Sequence, residues 1–209
     1  SPPSAWAAEK RWRSPLKPSN PFGLGGATAL ADLVAVAQGG RKVALGSGAK
    51  ARVAASRRLL LKLAASGAPL YGVNTGFGEL ASKRVPAGSL AQLQRNLVLS
   101  HACGIGEPLS EAEARGIMFL RANELSRGYS GARAELIELM AALLNAGAAA
   151  VIPSRGSVGA SGDLAPQAHM ALTLIGEGEL TLKGKRLKGA AALKRLGLRA
   201  AVLEAKEGL

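Results

Sequence analysis

The residues best suited to chemistry lie in one glycine-rich stretch, Gly156-Ser-Val-Gly-Ala-Ser-Gly-Asp163. If the backbone bends tightly there, the amide nitrogen of Gly162 can attack the carbonyl carbon of Ala160 and close a five-membered ring. Loss of two waters, one of them from the Ser161 side chain, then leaves an exocyclic methylene conjugated to an imidazolone. Such a group is an electrophile, which no ordinary side chain supplies. The alternative is a flexible Ser/Gly loop in which Asp163 caps the following helix.

Two further segments carry candidate site residues. Residues 71–78, Tyr-Gly-Val-Asn-Thr-Gly-Phe-Gly, have no regular hydrophobic period and hold three glycines, which is typical of a shaped loop. Ser89 is predicted to cap a helix with Leu90, Leu93 and Leu97 on one face, and His101 continues that face one turn later. The sequence thus predicts Tyr71 in a loop and His101 near the end of a helix.

The remaining elements must position these segments, and most are predicted to be helices. Apolar spacing and terminal signals predict helices over about 28–38, 47–66, 111–125, 132–145 and 164–175, with a capping box at Ser110–Glu113 and a small hairpin near 180–187. Ser47 is expected to cap the second helix, whose solvent face is expected to carry Arg52, Arg57, Arg58 and Lys62. We expect an irregular basic arm (1–26), an N-terminal domain (27–130) and the start of a helical domain (131–209).

Composition narrows the function class. The 209 residues are 48% apolar with one cysteine and a net charge of +13, and they contain no long uncharged apolar run. We therefore expect a soluble, cytoplasmic protein without a disulfide or a cysteine metal site. The charge alone suggests nucleic-acid binding, but residues 1–70 hold eleven Lys/Arg against two Asp/Glu while residues 71–160 are nearly neutral. With no stacking platform, we expect neither nucleic acid nor a membrane as a partner.

Several long motifs together resemble one family, the aromatic amino acid ammonia-lyases. The stretch beginning at Gly156 is similar to that family's signature loop, and Tyr71–Gly78 is similar to its tyrosine loop. Three more motifs follow the family's order: Asn96-Leu-Val-Leu-Ser-His-Ala-Cys-Gly-Ile-Gly, Arg121-Ala-Asn-Glu-Leu-Ser-Arg-Gly-Tyr-Ser-Gly and Glu204-Ala-Lys-Glu-Gly-Leu. The resemblance covers roughly residues 28–209.

The resemblance implies a fold and a cofactor. The fold is mainly α, the N-terminal part of the ammonia-lyase (fumarase/aspartase-like) fold, with minor β elements and glycine-rich loops. The cofactor is 4-methylidene-imidazol-5-one (MIO), formed from Ala160, Ser161 and Gly162, with no metal or nucleotide. Asp163, Asn74 and Gly78 are expected to support the site.

The resemblance also implies an activity. Tyr71 is expected to take the β-proton of the substrate, and the Ser100-His101 pair is that of the histidine-specific members. The implied reaction converts L-histidine to trans-urocanate and ammonia in a homotetramer. The alternatives are a phenylalanine or tyrosine lyase of the same family, or a non-catalytic, lyase-derived interaction domain. Because family members are more than twice as long, we expect this chain to be nearly inactive by itself and to self-associate.

Overall fold

Helices dominate the part of the chain that the computed structural model describes, which is residues 20–76, 79, 81–159 and 164–208. They are α1 (Leu30–Ala37), α2 (Ser47–Ala65), α3 (Leu90–His101), α4 (Glu111–Leu125), α5 (Ala134–Asn145), α6 (Leu164–Leu174) and α7 (Gly189–Arg195). This content confirms the mainly α fold class. Across the described ranges, every helix is too short or too polar to cross a bilayer.

Among the described residues, the strands are short and form three small sheets. They are β1 (Phe22–Gly23), β2 (Val43–Ala44), β3 (Ile105–Pro108), β4 (Ala149–Ala150), β5 (Pro153–Arg155), β6 (Glu179–Leu182) and β7 (Lys185–Lys188). β1 pairs with β2 in parallel, β3 with β5 antiparallel, and β4, β6 and β7 form an antiparallel sheet in that order. The predicted hairpin is confirmed as β6–β7, where Lys183 and Gly184 both adopt positive φ, as a tight two-residue hairpin turn requires. Strand β1, Phe22–Gly23, lies within residues 1–26, which were predicted to be irregular.

The core is built around α4 and α5. Met118 and Phe119 of α4 and Ile137 and Leu143 of α5 are fully buried. The Phe119 ring meets the Phe22 ring edge-on, with 5.0 Å between centroids, which ties β1 to α4. α4 also packs on α1 and β4, and α5 on α2 and α6. These two helices therefore form the scaffold on which the loops are mounted.

The predicted capping box at the start of α4 is confirmed. The Ser110 hydroxyl accepts from the Glu113 amide at 3.3 Å, and the Glu113 carboxylate accepts from the Ser110 amide at 2.8 Å. Hydrogen bonds from the Ser110 side chain and backbone hold the pKa of Glu113 below its usual value.

Two predictions for α2 are wrong. Ser47 is the first helical residue, and Gly46, extended, occupies the capping position. Arg57 is not on the solvent face: it is 7% exposed, and it donates to the carbonyls of Gly131 (3.1 Å) and Ala205 (2.8 Å). Those partners lie far along the sequence, so helical spacing could not place Arg57 inside.

α1 and α3 each bury few side chains completely. Leu30 is 63% exposed, and Val36 is the buried residue of α1. On α3, Gln94 and Val98 are the buried residues, flanked by partly buried leucines. The inner face of α3 therefore centres on a polar side chain.

Candidate active site

The loop that begins at Tyr71 is stabilised from inside by Asn74. The Asn74 Oδ1 accepts from the Leu70 amide at 2.7 Å, and its Nδ2 donates to the Ala68 carbonyl at 2.9 Å. Gly72 adopts a φ of +70°, a conformation that glycine takes without steric cost. The ring of Tyr71 is 55% exposed, whereas Asn74 is buried. Asn74 thus shapes the turn that carries the phenol.

The last turn of α3 fixes the imidazole of His101. Its Nδ1 lies 2.9 Å from the Leu97 carbonyl oxygen and 3.1 Å from the Ser100 Oγ, while that hydroxyl donates to the same carbonyl at 2.9 Å. Because a carbonyl oxygen only accepts, the hydrogen of the neutral ring belongs on Nδ1. The other ring nitrogen, Nε2, is then an acceptor.

The end of α3 meets the glycine-rich loop at two glycines. The Gly104 amide donates to Nε2 of His169, on α6, at 3.0 Å, and burial lowers the pKa of His169, which favours the neutral ring that can accept. A Cβ at Gly104 would lie 3.1 Å from the Arg155 carbonyl oxygen, and one at Gly156 would lie 3.0 Å from the Gly104 Cα. A side chain at either position would crowd these neighbours, so the glycines favour the close approach of the segment after α3 to β5 and α6.

The loop that contains the predicted electrophile is closed at its base. A Cβ at Gly156 would lie 3.1 Å from the Cβ of Ala165, so the chain leaves and returns to nearly the same point. Gly159 adopts a φ of +67° within this loop. The predicted residues Ala160, Ser161, Gly162 and Asp163 lie outside the described residues, as does Gly78 of the tyrosine loop.

A cavity of about 520 Å³ opens between α3, α4, α5 and α6. Its walls are mainly apolar, and their polar residues include His101, Lys206 and Glu207. Burial lowers the pKa of Lys206, whose backbone has a φ of +77°. Among the described residues, the lining includes neither Tyr71 nor Ser100.

Ion pairs among four charged residues hold the segment 202–208 in place. These residues are Arg57, Arg133, Glu204 and Glu207. Glu207 accepts from the Arg133 backbone amide, Nε and Nη2 at 3.0, 2.8 and 2.7 Å. Glu204 lies 2.6 Å from the Arg57 guanidinium and 2.8 Å from that of Arg133. Burial by itself raises the pKa of Glu207, but hydrogen bonds from Arg133 and from the Glu204 and Arg133 backbones bring it below its ordinary value.

The described ranges hold no cluster of three or more His, Cys, Asp or Glu side chains with the geometry of a metal site. The carboxylates that line the cavity are instead paired with arginines, as Glu207 is with Arg133 and Glu124 is with Arg121.

Comparison with known proteins decides the family. The sequence profile of the aromatic amino acid lyases matches residues 28–209. The chain belongs to the aromatic amino acid lyase family. It is 52% identical over 180 residues to the histidine ammonia-lyase of Myxococcus xanthus, a match that covers 86% of this chain and 35% of that protein. The chain therefore spans about a third of the length of this curated relative.

Solved structures of aromatic amino acid lyases and related enzymes share the fold of this chain. The ergothioneine-degrading ergothionase of Treponema denticola superposes with a TM-score of 0.87 at 33% identity, over 90% of this chain and 38% of that one. Histidine ammonia-lyase from Trypanosoma cruzi superposes with a TM-score of 0.82 at 36% identity, over 91% and 37%.

In the structure, some of the predicted site residues contact one another and others lie on separate segments. Ser100 and His101 are in direct contact, and their helix meets the base of the glycine-rich loop. Tyr71 lies on a separate loop outside the cavity. Gln94 and Lys206 were not among the predicted site residues. Gln94 stands two turns before His101 on the same helical face, but the partners of its amide, Gly72 and Gly208, are distant in the sequence.

Proposed function

We propose that this chain carries the electrophile loop, the proton-abstracting tyrosine and the substrate-binding histidine of a histidine ammonia-lyase. The reaction removes the amino group and one β-proton from L-histidine, leaving trans-urocanate and ammonia. The 52% identity to a histidine ammonia-lyase supports the activity, and the fixed tautomer of His101 supports the substrate.

The hydrogen bonding of His101 carries the argument for L-histidine. Because Nδ1 is bonded to the Leu97 carbonyl, Nε2 is the atom that remains to accept a hydrogen bond. A substrate imidazole presents an N–H that fits this acceptor, whereas a phenyl ring has no such donor. A site built to pair with a polar group rejects an analogue that lacks it, because its own polar atom then stays unpaired.

The described residues around the loop fit the MIO group. The two ends of the loop come close together where Gly156 faces Ala165. This close approach suits ring closure, because ring closure needs a compressed backbone that the surrounding residues hold in place. Ala160, Ser161 and Gly162 would form the group, and it would supply an electrophile toward the substrate. Asp163 and Gly78 would support the site.

Tyr71 is proposed to accept the β-proton at its phenolic oxygen. A tyrosine has an unperturbed pKa of about 10, so its use as a base near neutral pH requires stabilisation of the phenolate. The turn stabilised by Asn74 leaves Tyr71 exposed, so that a substrate can reach it. Ser100 contributes by sharing the Nδ1 hydrogen of His101.

Intact-mass measurement tests the electrophile, with Ser161→Ala as the matched control. We expect the wild-type chain to be lighter than its sequence mass by two water molecules and the Ser161→Ala variant to lack this deficit. A wild-type chain of full mass would contradict the enzymatic proposal and favour the alternative of a non-catalytic interaction domain.

Ligand binding tests the substrate. By calorimetry we expect L-histidine to bind the wild-type chain more tightly than L-phenylalanine, and His101→Phe to lose that preference. Loss of the Nε2 acceptor should cost about 1–3 kcal/mol, or at least about fivefold in affinity. Equal binding of both amino acids by the wild-type chain would instead favour a phenylalanine or tyrosine lyase.

A further inference from the structure

Gln94 is a fully buried amide in the middle of α3, at a position where a helix would ordinarily bury an apolar side chain. Its side chain is bonded to two other parts of the molecule. The Oε1 accepts from the Gly208 amide at 2.7 Å, and the Nε2 donates to the Gly72 carbonyl at 3.4 Å. Gln94 thus bridges the tyrosine loop and the C-terminal segment 202–208.

Only a neutral side chain with both a donor and an acceptor can make these two bonds. The Gly208 amide is a donor and the Gly72 carbonyl is an acceptor, so they fix the orientation of the Gln94 amide. The contact with Gly208 is close: a Cβ at 208 would lie 2.6 Å from the Gln94 carbonyl oxygen and 3.0 Å from its Cα. Glycine at 208 therefore allows the segment to lie directly on α3.

The same face of α3 carries His101, seven residues after Gln94. With a rise of about 1.5 Å per residue, the two positions are about 10.5 Å apart along the helix axis. Gln94 bonds the residue that follows Tyr71, and His101 ends the helix. One rigid helix thus sets the distance between the tyrosine loop and the histidine.

We propose that Gln94 is a positioning residue that fixes the tyrosine loop to α3, so that Tyr71 and His101 are held at a constant separation. The C-terminal segment completes the bridge, because the Gly208 amide holds the Gln94 side chain in the orientation that donates to the Gly72 carbonyl. The inference rests on the proposed function for its catalytic meaning, but the bridge itself is a property of the chain that does not require activity.

Hydrogen exchange measured by mass spectrometry tests the bridge directly. In Gln94→Leu we expect amides of residues 70–76 to exchange at least about tenfold faster than in the wild type, because the Gly72 carbonyl and the Gly208 amide lose their partner. Exchange in α4 and α5 should change much less. The matched control is Gln92→Leu, which alters an exposed glutamine on the same helix and should leave the loop unchanged.

Gln94→Glu supplies a readout that a purely structural role would not produce. A protonated carboxyl group offers one donor and one acceptor, as the amide does, whereas a carboxylate offers no donor to Gly72. Burial raises the pKa of a carboxyl group, so loop protection should be close to that of the wild type at low pH and lost as pH rises. Gln92→Glu should show only the ordinary pH dependence of exchange.

This comparison also removes the effect of other ionisable groups. The charged and titratable residues that lie on α3, or on segments bonded to it or packed against it, are the same in both glutamate variants: Tyr71, Arg95, His101, His169, Glu177, Glu204, Lys206 and Glu207.

Two results would overturn the proposal: unchanged loop exchange in Gln94→Leu, or equal acceleration throughout the core. If Gln94→Leu does not fold, the pH profile of Gln94→Glu decides, and a flat profile would reject the bridge. Failure of the proposed function would appear separately, as an intact mass without the two-water deficit.

Discussion

Replacing Glu207 by glutamine should destabilise the chain by about 3 kcal/mol. The Glu207 side chain is 0% exposed, and its carboxylate accepts three hydrogen bonds from Arg133 and one from the Glu204 amide. Removing one partner of a buried charged pair costs about 3–5 kcal/mol. We take the lower end because Arg133 is 25% exposed and keeps its bonds to Glu204 and the Val202 carbonyl.

Urea denaturation measures this loss. With an m value of about 2 kcal/mol per molar urea, the midpoint of Glu207→Gln should fall by about 1.5 M. The matched control is Glu138→Gln, which breaks an exposed pair with Lys50 and should cost less than about 1 kcal/mol.

The deficit of Glu207→Gln should also depend on pH. Because the pKa of Glu207 in the folded state lies below its ordinary value, its carboxylate stabilises the fold fully above that ordinary value and less as the pH falls through the folded pKa. The gap between wild type and variant should therefore narrow in acid. A gap below 1 kcal/mol at neutral pH, or one that stays constant in acid, would refute the reasoning.

Three further substitutions probe the scaffold. Ser110→Ala removes the capping box and should cost about 1 kcal/mol in thermal unfolding; because the folded pKa of Glu113 is lowered, part of this loss should fade as pH falls through that pKa. Arg57→Met should cost about 3 kcal/mol by urea denaturation, since it leaves two buried carbonyls without their donor and removes one of the two arginine partners of Glu204. Arg58→Met, on the exposed side, should be within about 0.5 kcal/mol of wild type. Gly104→Ala should raise hydrogen exchange at the base of the glycine-rich loop, because its Cβ would lie 3.1 Å from both a carbonyl oxygen and the His169 imidazole; unchanged exchange would mean that the junction has slack.

Local signals predicted the parts of the fold that depend on neighbouring residues. The capping box needs only Ser110 and Glu113, three residues apart, and the β6–β7 hairpin needs only its own strands and turn. The tyrosine loop and the helix ending at His101 were likewise visible in the sequence. The two-residue strands β1 and β2 are too short to show any period, so they were not.

Contacts between distant segments explain what the sequence could not predict. In the sequence, Arg57 resembles the other cations on the solvent face of its helix. Its burial depends on hydrogen bonds to residues 131, 204 and 205, which only the folded chain brings close. Gln94 appears polar and therefore exposed until Gly72 and Gly208 supply its partners. In the candidate site, the meeting of Gly104 with His169 depends on a turn between α3 and β3 that no pattern encodes.

The burial of Arg57 has a consequence for the order of folding during synthesis. Its carbonyl partner at Ala205 is translated 148 residues later, which at about 5–20 residues per second takes on the order of ten seconds. Until then the guanidinium has no complete set of acceptors and is better left in water. α2 therefore leaves the ribosome long before all the partners of Arg57 have been made. We expect the docking of α2 on the rest of the fold to be a late step of folding.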